Sequence, residues 1–169
     1  MNTIYLLLGG NVGNRIENLN NALLLIRKLV GKQIKQSSIY VTAAWGNKNQ
    51  PDFYNQAVCI ETRLSASTLL VTLLKIEEKL GRKRDTQKWQ ERTIDIDILF
   101  FNDEIINEQN LKIPHPFLHD RKFVLVPLAE IAAELKHPIL NKSISELLEN
   151  CTDNLNVKKI NPIEQNSSL

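Results

Sequence analysis

The stretch Gly81–Phe101 reads GRKRDTQKWQERTIDIDILFF, and the rest of the chain is arranged around it. Between Arg82 and Arg92 it carries five cations and two anions. Beyond Arg92 the sign reverses and apolar and polar residues alternate. In a strand read from Thr93 to Phe101, Asp95 and Asp97 share one face. Ile94, Ile96, Ile98 and Phe100 share the other, which must face the core. Carboxylates two residues apart on a strand stand about 7 Å apart, a spacing that holds one or two hard cations. Arginines from the adjoining loop grip anionic oxygens in a bidentate fork. Cations for phosphate beside carboxylates for Mg2+ are the equipment of phosphoryl transfer. Either feature alone is common on a solvated surface; joined in one loop–strand unit they mark a site. The two aspartates repel each other, so the pair costs stability until something positive sits there.

The chain has 169 residues, 43% of them apolar and 24% charged, with a net charge of +2. That size suits one domain with a real core, expected over residues 1–160 with a flexible tail at 161–169. The net charge gives no sign of general polyanion binding. Cys59 and Cys151 fit no metal or redox spacing. No apolar run approaches membrane-spanning length and no signal-type segment opens the chain, so a soluble, cytoplasmic monomer is expected.

Upstream, Thr3–Leu8 reads as a buried strand ending at Gly9-Gly10, and the turn Gly9–Asn14 matches no phosphate-loop pattern. Asn14 caps a helix whose apolar stripe runs from Ile16 to Val30. Ile34–Ala44 reads as a second strand, followed by a polar loop from Trp45 to Asp52. Phe53–Leu64 reads as a third strand, with Phe53, Asn55, Ala57, Cys59 and Glu61 on one face. Ser65 caps a second helix that Gly81 ends, with Glu77 placed on its polar side.

Downstream, a short strand is expected at Glu104–Ile106. Ile113 and His115 both precede prolines, so that segment is extended, and Pro116 excludes a zinc helix through His115 and His119. Pro127–Leu135 reads as a helix with proline in its first turn. Ser143–Glu146 is a capping box opening a last helix. Strand–helix–strand twice over predicts an α+β fold: a ferredoxin-like, mainly antiparallel sheet with helices on one face, plus a C-terminal hairpin and helical extension. Asp95 and Asp97 would look out from the open face.

Taken together these motifs resemble the 6-hydroxymethyl-7,8-dihydropterin pyrophosphokinase family, from about Ile4 to Leu148. The most specific part is Arg-Thr-Ile-Asp-Ile-Asp-Ile at Arg92–Ile98. Leu8–Asn11, Gln50–Phe53 with Asn55, Glu77 with Gly81-Arg82-x-Arg84, Trp89, Pro114-His115 and Arg121-x-Phe123 support it. The resemblance implies transfer of the β,γ-diphosphate of ATP to the hydroxymethyl group of a pterin, releasing AMP, in folate biosynthesis. It implies that Asp95 and Asp97 hold two Mg2+ ions. Glu77, Arg82, Arg84, Arg92, Ile98, His115 and Arg121 would meet ATP, with Arg82, Arg84 and Arg92 catalytic. Thr42, Ala43, Ala44, Trp45, Phe53, Asn55, Trp89, Asp95 and Phe123 would meet the pterin. Six positions depart from the family pattern: Ala43-Ala44 stands for Pro-Pro, Gln90-Glu91 for Gly-Pro, Phe53 for Tyr and Pro116 for Tyr.

Two other readings compete. A ferredoxin-like module for single-stranded RNA would carry aromatics on its central strands, whereas Asp95 and Asp97 would repel RNA phosphates. Another two-metal nucleotide-processing enzyme fits the aspartates but leaves the pterin-type aromatics without a role.

Overall fold

A computed structural model describes residues 1–44, 49–83 and 92–161 of the chain. The elements in order are β1 (Asn2–Gly10), α1 (Arg15–Leu29), β2 (Gly31–Gln36), β3 (Tyr40–Thr42), β4 (Phe53–Thr62), α2 (Ala66–Lys79) and β5 (Asp95–Phe101). Then come β6 (Ile106–Asn107), β7 (Lys112–Ile113), α3 (Lys122–Ala132), α4 (Ile144–Glu149) and β8 (Val157–Lys159). The main sheet runs β5-β1-β4-β3-β8, with β2 also on β4, and every pairing is antiparallel. The remaining two strands, β6 and β7, form a separate small hairpin.

The helix starts follow their capping chemistry. The Asn14 side chain accepts from Glu17 N–H, Ser65 from Thr68 N–H, and Ser143 and Glu146 form the reciprocal box. Each meets one of the donors a helix leaves unpaired in its first turn. The inner stripes of α1 (Leu19, Ala22, Leu23, Ile26) and α2 (Leu69, Leu73, Ile76) pack on Ile4, Leu6, Leu8, Val58, Ile60, Ile96 and Ile98.

The opposite face of the sheet is not bare. Helices α3 and α4 cover one end of it, where Val124, Leu125, Leu128, Ile144 and Leu147 bury Leu7, Ala57, Cys59, Leu99 and Phe100. Helices therefore pack on both faces, and only the other end of this face stays open. The expectation of helices on one face missed this layer because α3 was read five residues short. It starts at Lys122, so Pro127 lies inside it and not in its first turn. The chain supplies no cap from Arg121 itself; Asp153 accepts from Lys122 N–H at 3.0 Å instead.

Phe100 also departs from strict alternation. The β1–β5 register shifts between Tyr5 and Leu6: Leu6 pairs with Ile98, but Tyr5 pairs with Phe100. Leu99 is the extra residue of a bulge, and a bulge switches the parity of everything after it. Phe100 thus turns to the α3 side, edge-on to Tyr5 with centroids 6.3 Å apart, and Phe101 takes the place expected for it in the first core. The expected strand Ile34–Ala44 is two strands, β2 and β3, with Ser37–Ile39 between them. There Ser37 N–H donates to the Ala57 carbonyl, and its Oγ accepts from Ala57 N–H. Past α4 the chain returns to the sheet, where β8 pairs with β3. Residues 162–169, where the tail was expected, lie outside the described residues.

Candidate active site

Pairing across the sheet assembles the site. Gly9 on β1 is opposite Asn55 on β4 and Asp95 on β5, and Leu7 is opposite Ala57 and Asp97. Residues opposite one another share a face, so Asn55, Gly9 and Asp95 form one row and Ala57, Leu7 and Asp97 the next. Asn55 and Asp95 are two strands apart, roughly 10 Å. Gly9 leaves room between them: a Cβ there would meet Asn55 Oδ1 at 2.4 Å. Apart from Ala57, which is buried in the core under α3 and α4, these rows form the floor of a cleft of about 310 Å³, walled by Thr42, Ala43, Phe53, Arg92, His115, Arg121 and Phe123. That volume is in the range of small-molecule sites, with a few convergent polar groups on an apolar frame.

The two aspartates differ in state. Asp95 is ion-paired to Arg82 Nη1 through Oδ1 and to Arg92 Nη1 through Oδ2. Arg82 also pairs with Glu77 Oε2 at 2.7 Å. Burial opposes the charge on Arg82, but Asp95 and Glu77 more than offset it, and its pKa rises above the usual value. Among the described residues Asp97 has no such ion pair. Burial, then the charges of Asp95 and Glu77, push its carboxyl up to about 7, against the pull of Arg121 and Arg92.

Glu77 does not lie on a polar helix face. It is 2% exposed, and its Oε1 accepts from Ile96 N–H at 2.7 Å, between the two aspartates. The apolar stripe of α2 gave no sign of this, because a carboxylate buried by pairing looks in sequence like any exposed Glu. Ile98 likewise does not present its side chain to the cleft; it belongs to the core under α1 and α2.

His115 is fixed by its backbone, whose N–H donates to the Leu99 carbonyl at 3.0 Å. Its Nδ1 accepts from Phe117 N–H at 3.2 Å, which leaves the proton of a neutral ring on Nε2. Burial and then Arg121 lower its pKa to about 4. The Arg121 guanidinium sits 5.1 Å from the Phe117 ring centre and 5.8 Å from that of Phe123. On the opposite wall Asn55 Nδ2 donates to Thr42 Oγ1 at 3.2 Å, so the amide is oriented before any ligand arrives.

Of the expected site residues, Thr42, Ala43, Phe53, Asn55, Arg92, Asp95, Asp97, His115, Arg121 and Phe123 line the cleft. Arg82 and Glu77 reach it through Asp95 and Ile96, and Ala44 is buried behind the wall. Trp45, Arg84 and Trp89 lie outside the described residues. Leu7, Gly9 and Gln50 also line the cleft; Gly9 and Gln50 stand in the motifs Leu8–Asn11 and Gln50–Phe53, but none of the three was expected at the site. The signal for Leu7 and Gly9 was their place opposite the Asp-x-Asp pair, which needs the strand register.

Among the described residues no group of three or more His, Cys, Asp or Glu forms a metal cage. Two carboxylates on a cleft floor, one of them destabilised by neighbouring negative charge, suit a cation that completes its shell with water and substrate oxygens. Mg2+ binds in that way.

The family model for 7,8-dihydro-6-hydroxymethylpterin-pyrophosphokinase matches residues 5–133. The 2-amino-4-hydroxy-6-hydroxymethyldihydropteridine pyrophosphokinase of Aquifex aeolicus is 42% identical over 146 residues, 86% of this chain and 90% of that protein. That of Haemophilus influenzae is 41% identical over 163 residues, 96% of this chain and all of that protein. In solved structures, a Plasmodium falciparum HPPK-DHPS chain superposes with a TM-score of 0.71 at 22% identity, over 88% of this chain and 43% of that longer one. The single-stranded RNA reading finds no support in these matches. With its Arg-Thr-Ile-Asp-Ile-Asp-Ile strand on the floor of the cleft, the chain belongs to the 7,8-dihydro-6-hydroxymethylpterin pyrophosphokinase family.

Proposed function

We infer that the chain transfers the diphosphate of ATP to the hydroxymethyl group of 6-hydroxymethyl-7,8-dihydropterin, giving AMP and the pterin diphosphate, in folate synthesis. The observation that carries this reading is the row Asn55–Gly9–Asp95 across the sheet. It sets an amide for a flat, polar-edged ring on one side and the phosphate machinery on the other. The hydroxymethyl oxygen forms a bond to the β-phosphorus as the bond from that phosphorus to the α–β bridging oxygen breaks. AMP leaves and the hydroxyl proton is released. No covalent intermediate on the protein is needed, so positioning and charge neutralisation carry the catalysis.

Asn55, held by Thr42, hydrogen-bonds the pterin edge, and Phe53 and Phe123 supply ring faces. Ala43 lines the same wall with the buried Ala44 next to it, and Trp45 and Trp89 are assigned to cover the ring. Arg82, Arg92, Arg121 and the Nε2–H of His115 face the triphosphate, and Arg84 joins them from the basic loop. Asp95 and Asp97 would hold two Mg2+ ions, which supply charge neutralisation at the attacking and leaving oxygens. In the ligand-free chain Arg82 and Arg92 are the counter-ions of Asp95, so the triphosphate competes for the same guanidinium groups.

The nucleobase has a place as well. β5 is an edge strand, and Ile96 N–H turns outward to Glu77. Two residues on, the backbone N–H and C=O of Ile98 face that edge too, a donor and an acceptor for an adenine rim. The order β5-β1-β4-β2 with α1 and α2 on one face supports the ferredoxin-like description. Among the described residues no helix is long and apolar enough to cross a membrane. The proposed working form is a cytoplasmic monomer acting on two small molecules. The test is incubation with ATP, Mg2+ and hydroxymethyl-dihydropterin. The reading requires AMP whose release depends on the pterin; pterin-independent release, or ADP as product, would overturn it.

A further inference from the structure

Asn11 is the first residue past β1 and is 1% exposed, and nothing in the reaction above uses it. Its polar groups are nonetheless committed. Its N–H donates to the Arg92 carbonyl at 2.9 Å, and its Oδ1 accepts from Arg92 N–H at 2.9 Å. One residue thus holds Arg92 by both its backbone groups. On its other side Asn11 Nδ2 donates to the Pro51 carbonyl at 3.1 Å and to Gln50 Oε1 at 3.4 Å. Three segments far apart in sequence meet at one buried amide. The approach is close: a Cβ at Gly10 would stand 2.3 Å from the Thr93 carbonyl oxygen. Only a side chain with one acceptor and two donors serves all these partners. Asp lacks the donors, and Ser has a single one.

We propose that Asn11 is the positioning residue for Arg92, fixing the backbone from which its guanidinium reaches the phosphates. This rests on the phosphate role given to Arg92 above. Arg92 precedes β5 and takes no part in the β1–β5 register, so its place is set by the Asn11 contacts and by its ion pair with Asp95. Once nucleotide competes for the guanidinium, the Asn11 contacts are what remain to aim it. Asn11 itself touches no substrate. Through Pro51 and Gln50 the same amide holds Arg92 in register with the pterin wall.

The test is a double-mutant cycle of wild type, Asn11→Ala, Arg92→Ala and the double variant, well below the melting temperature of each. Asn11→Ala is expected to lower kcat/KM for ATP roughly tenfold or more, the scale of a buried hydrogen bond to a working group. In the Arg92→Ala background the same change should cost less than about threefold, because residues acting as one unit are not additive. A merely structural Asn11 would lower the melting temperature in both backgrounds and leave low-temperature kinetics independent of Arg92. Asn11→Leu, which keeps the volume but removes the acceptor for Arg92 N–H, replaces Asn11→Ala if the latter does not fold, and its loss must vanish in the same way. ATP affinity measured on the same four proteins reads the cycle without turnover, so a failure of the pterin chemistry and a failure of this role are told apart. Equal losses in both backgrounds, or no loss in either, would overturn the proposal.

Discussion

Asp95 and Asp97 share one face of β5 but are in opposite electrostatic states. Asp95 lies between the guanidinium groups of Arg82 and Arg92, whereas the carboxyl of Asp97 is pushed up to about 7 by burial and by Asp95 and Glu77. Sequence alone treats the two as an equivalent pair. The structure gives Asp95 two guanidinium partners, whereas burial and neighbouring carboxylates disfavour the charged form of Asp97.

Substitution of either aspartate should abolish turnover, but their effects on the ligand-free fold should part. A carboxyl whose folded pKa is raised from 3.8 to about 7 loses folding stability as pH climbs through that window. Asp97→Asn should therefore melt higher than wild type at about pH 8, and the gain should shrink toward pH 4. Asp95→Asn strips Arg82 and Arg92 of their shared partner, so it should melt at or below wild type. Thermal melts of both variants across pH, without nucleotide or Mg2+, check this. A parallel rise in both would contradict it.

Glu77 holds the backbone between the aspartates, so its loss should be read first in stability. Glu77→Ala leaves Ile96 N–H unpaired in a buried site and removes one partner of Arg82. A cost of about 1–3 kcal/mol is expected in urea unfolding. Glu77→Gln keeps an oxygen for Ile96 and should cost less. If Glu77→Ala lost nucleotide affinity with unchanged stability, the buried carboxylate would be a ligand contact and not a strut.

His115 should stay neutral well below the usual range. Its pKa is lowered from 6.5 to about 4 by burial and Arg121. The neutral ring is the one the fold prefers, so its stability contribution is complete above pH 6.5 and is lost as pH falls toward 4. The ring signals of His115 should not titrate between pH 8 and about 5 in proton NMR of the free protein. A midpoint near 6.5 would mean that the ring is solvated and not the fixed Nε2–H donor described above.

Thr42→Val removes the oxygen that orients Asn55 without touching the phosphate side. The pterin KM should rise roughly tenfold, the cost of one lost hydrogen bond in a dry site, while ATP affinity holds. Steady-state kinetics with each substrate varied separately decides it, and an equal loss for both substrates would refute the assignment.

Much of this was legible because local chemistry and tertiary context agree. The Asp-x-Asp alternation, the Asn14 and Ser65 caps and the Ser143 box each act within a few residues, and sequence carries them whole. Phe100 was misplaced because a bulge at Leu99 depends on the partner strand. The α3–α4 layer was missed because Pro127 drew the helix start to itself, although the donor that begins α3 is capped by Asp153, far along the chain. The contacts of Glu77 and Asn11 were opaque for a shared reason: a buried polar residue is recognised by its partners, and of theirs only Arg82, beside Glu77, is near in sequence.

The central claim is that one intact diphosphate passes from ATP to the pterin. ATP labelled at the β-phosphorus, incubated with Mg2+, hydroxymethyl-dihydropterin and the protein, tests it most directly. The account predicts that the label moves stoichiometrically into the pterin product while unlabelled AMP appears. Label retained in ADP, or released as free pyrophosphate with the pterin unchanged, would contradict it.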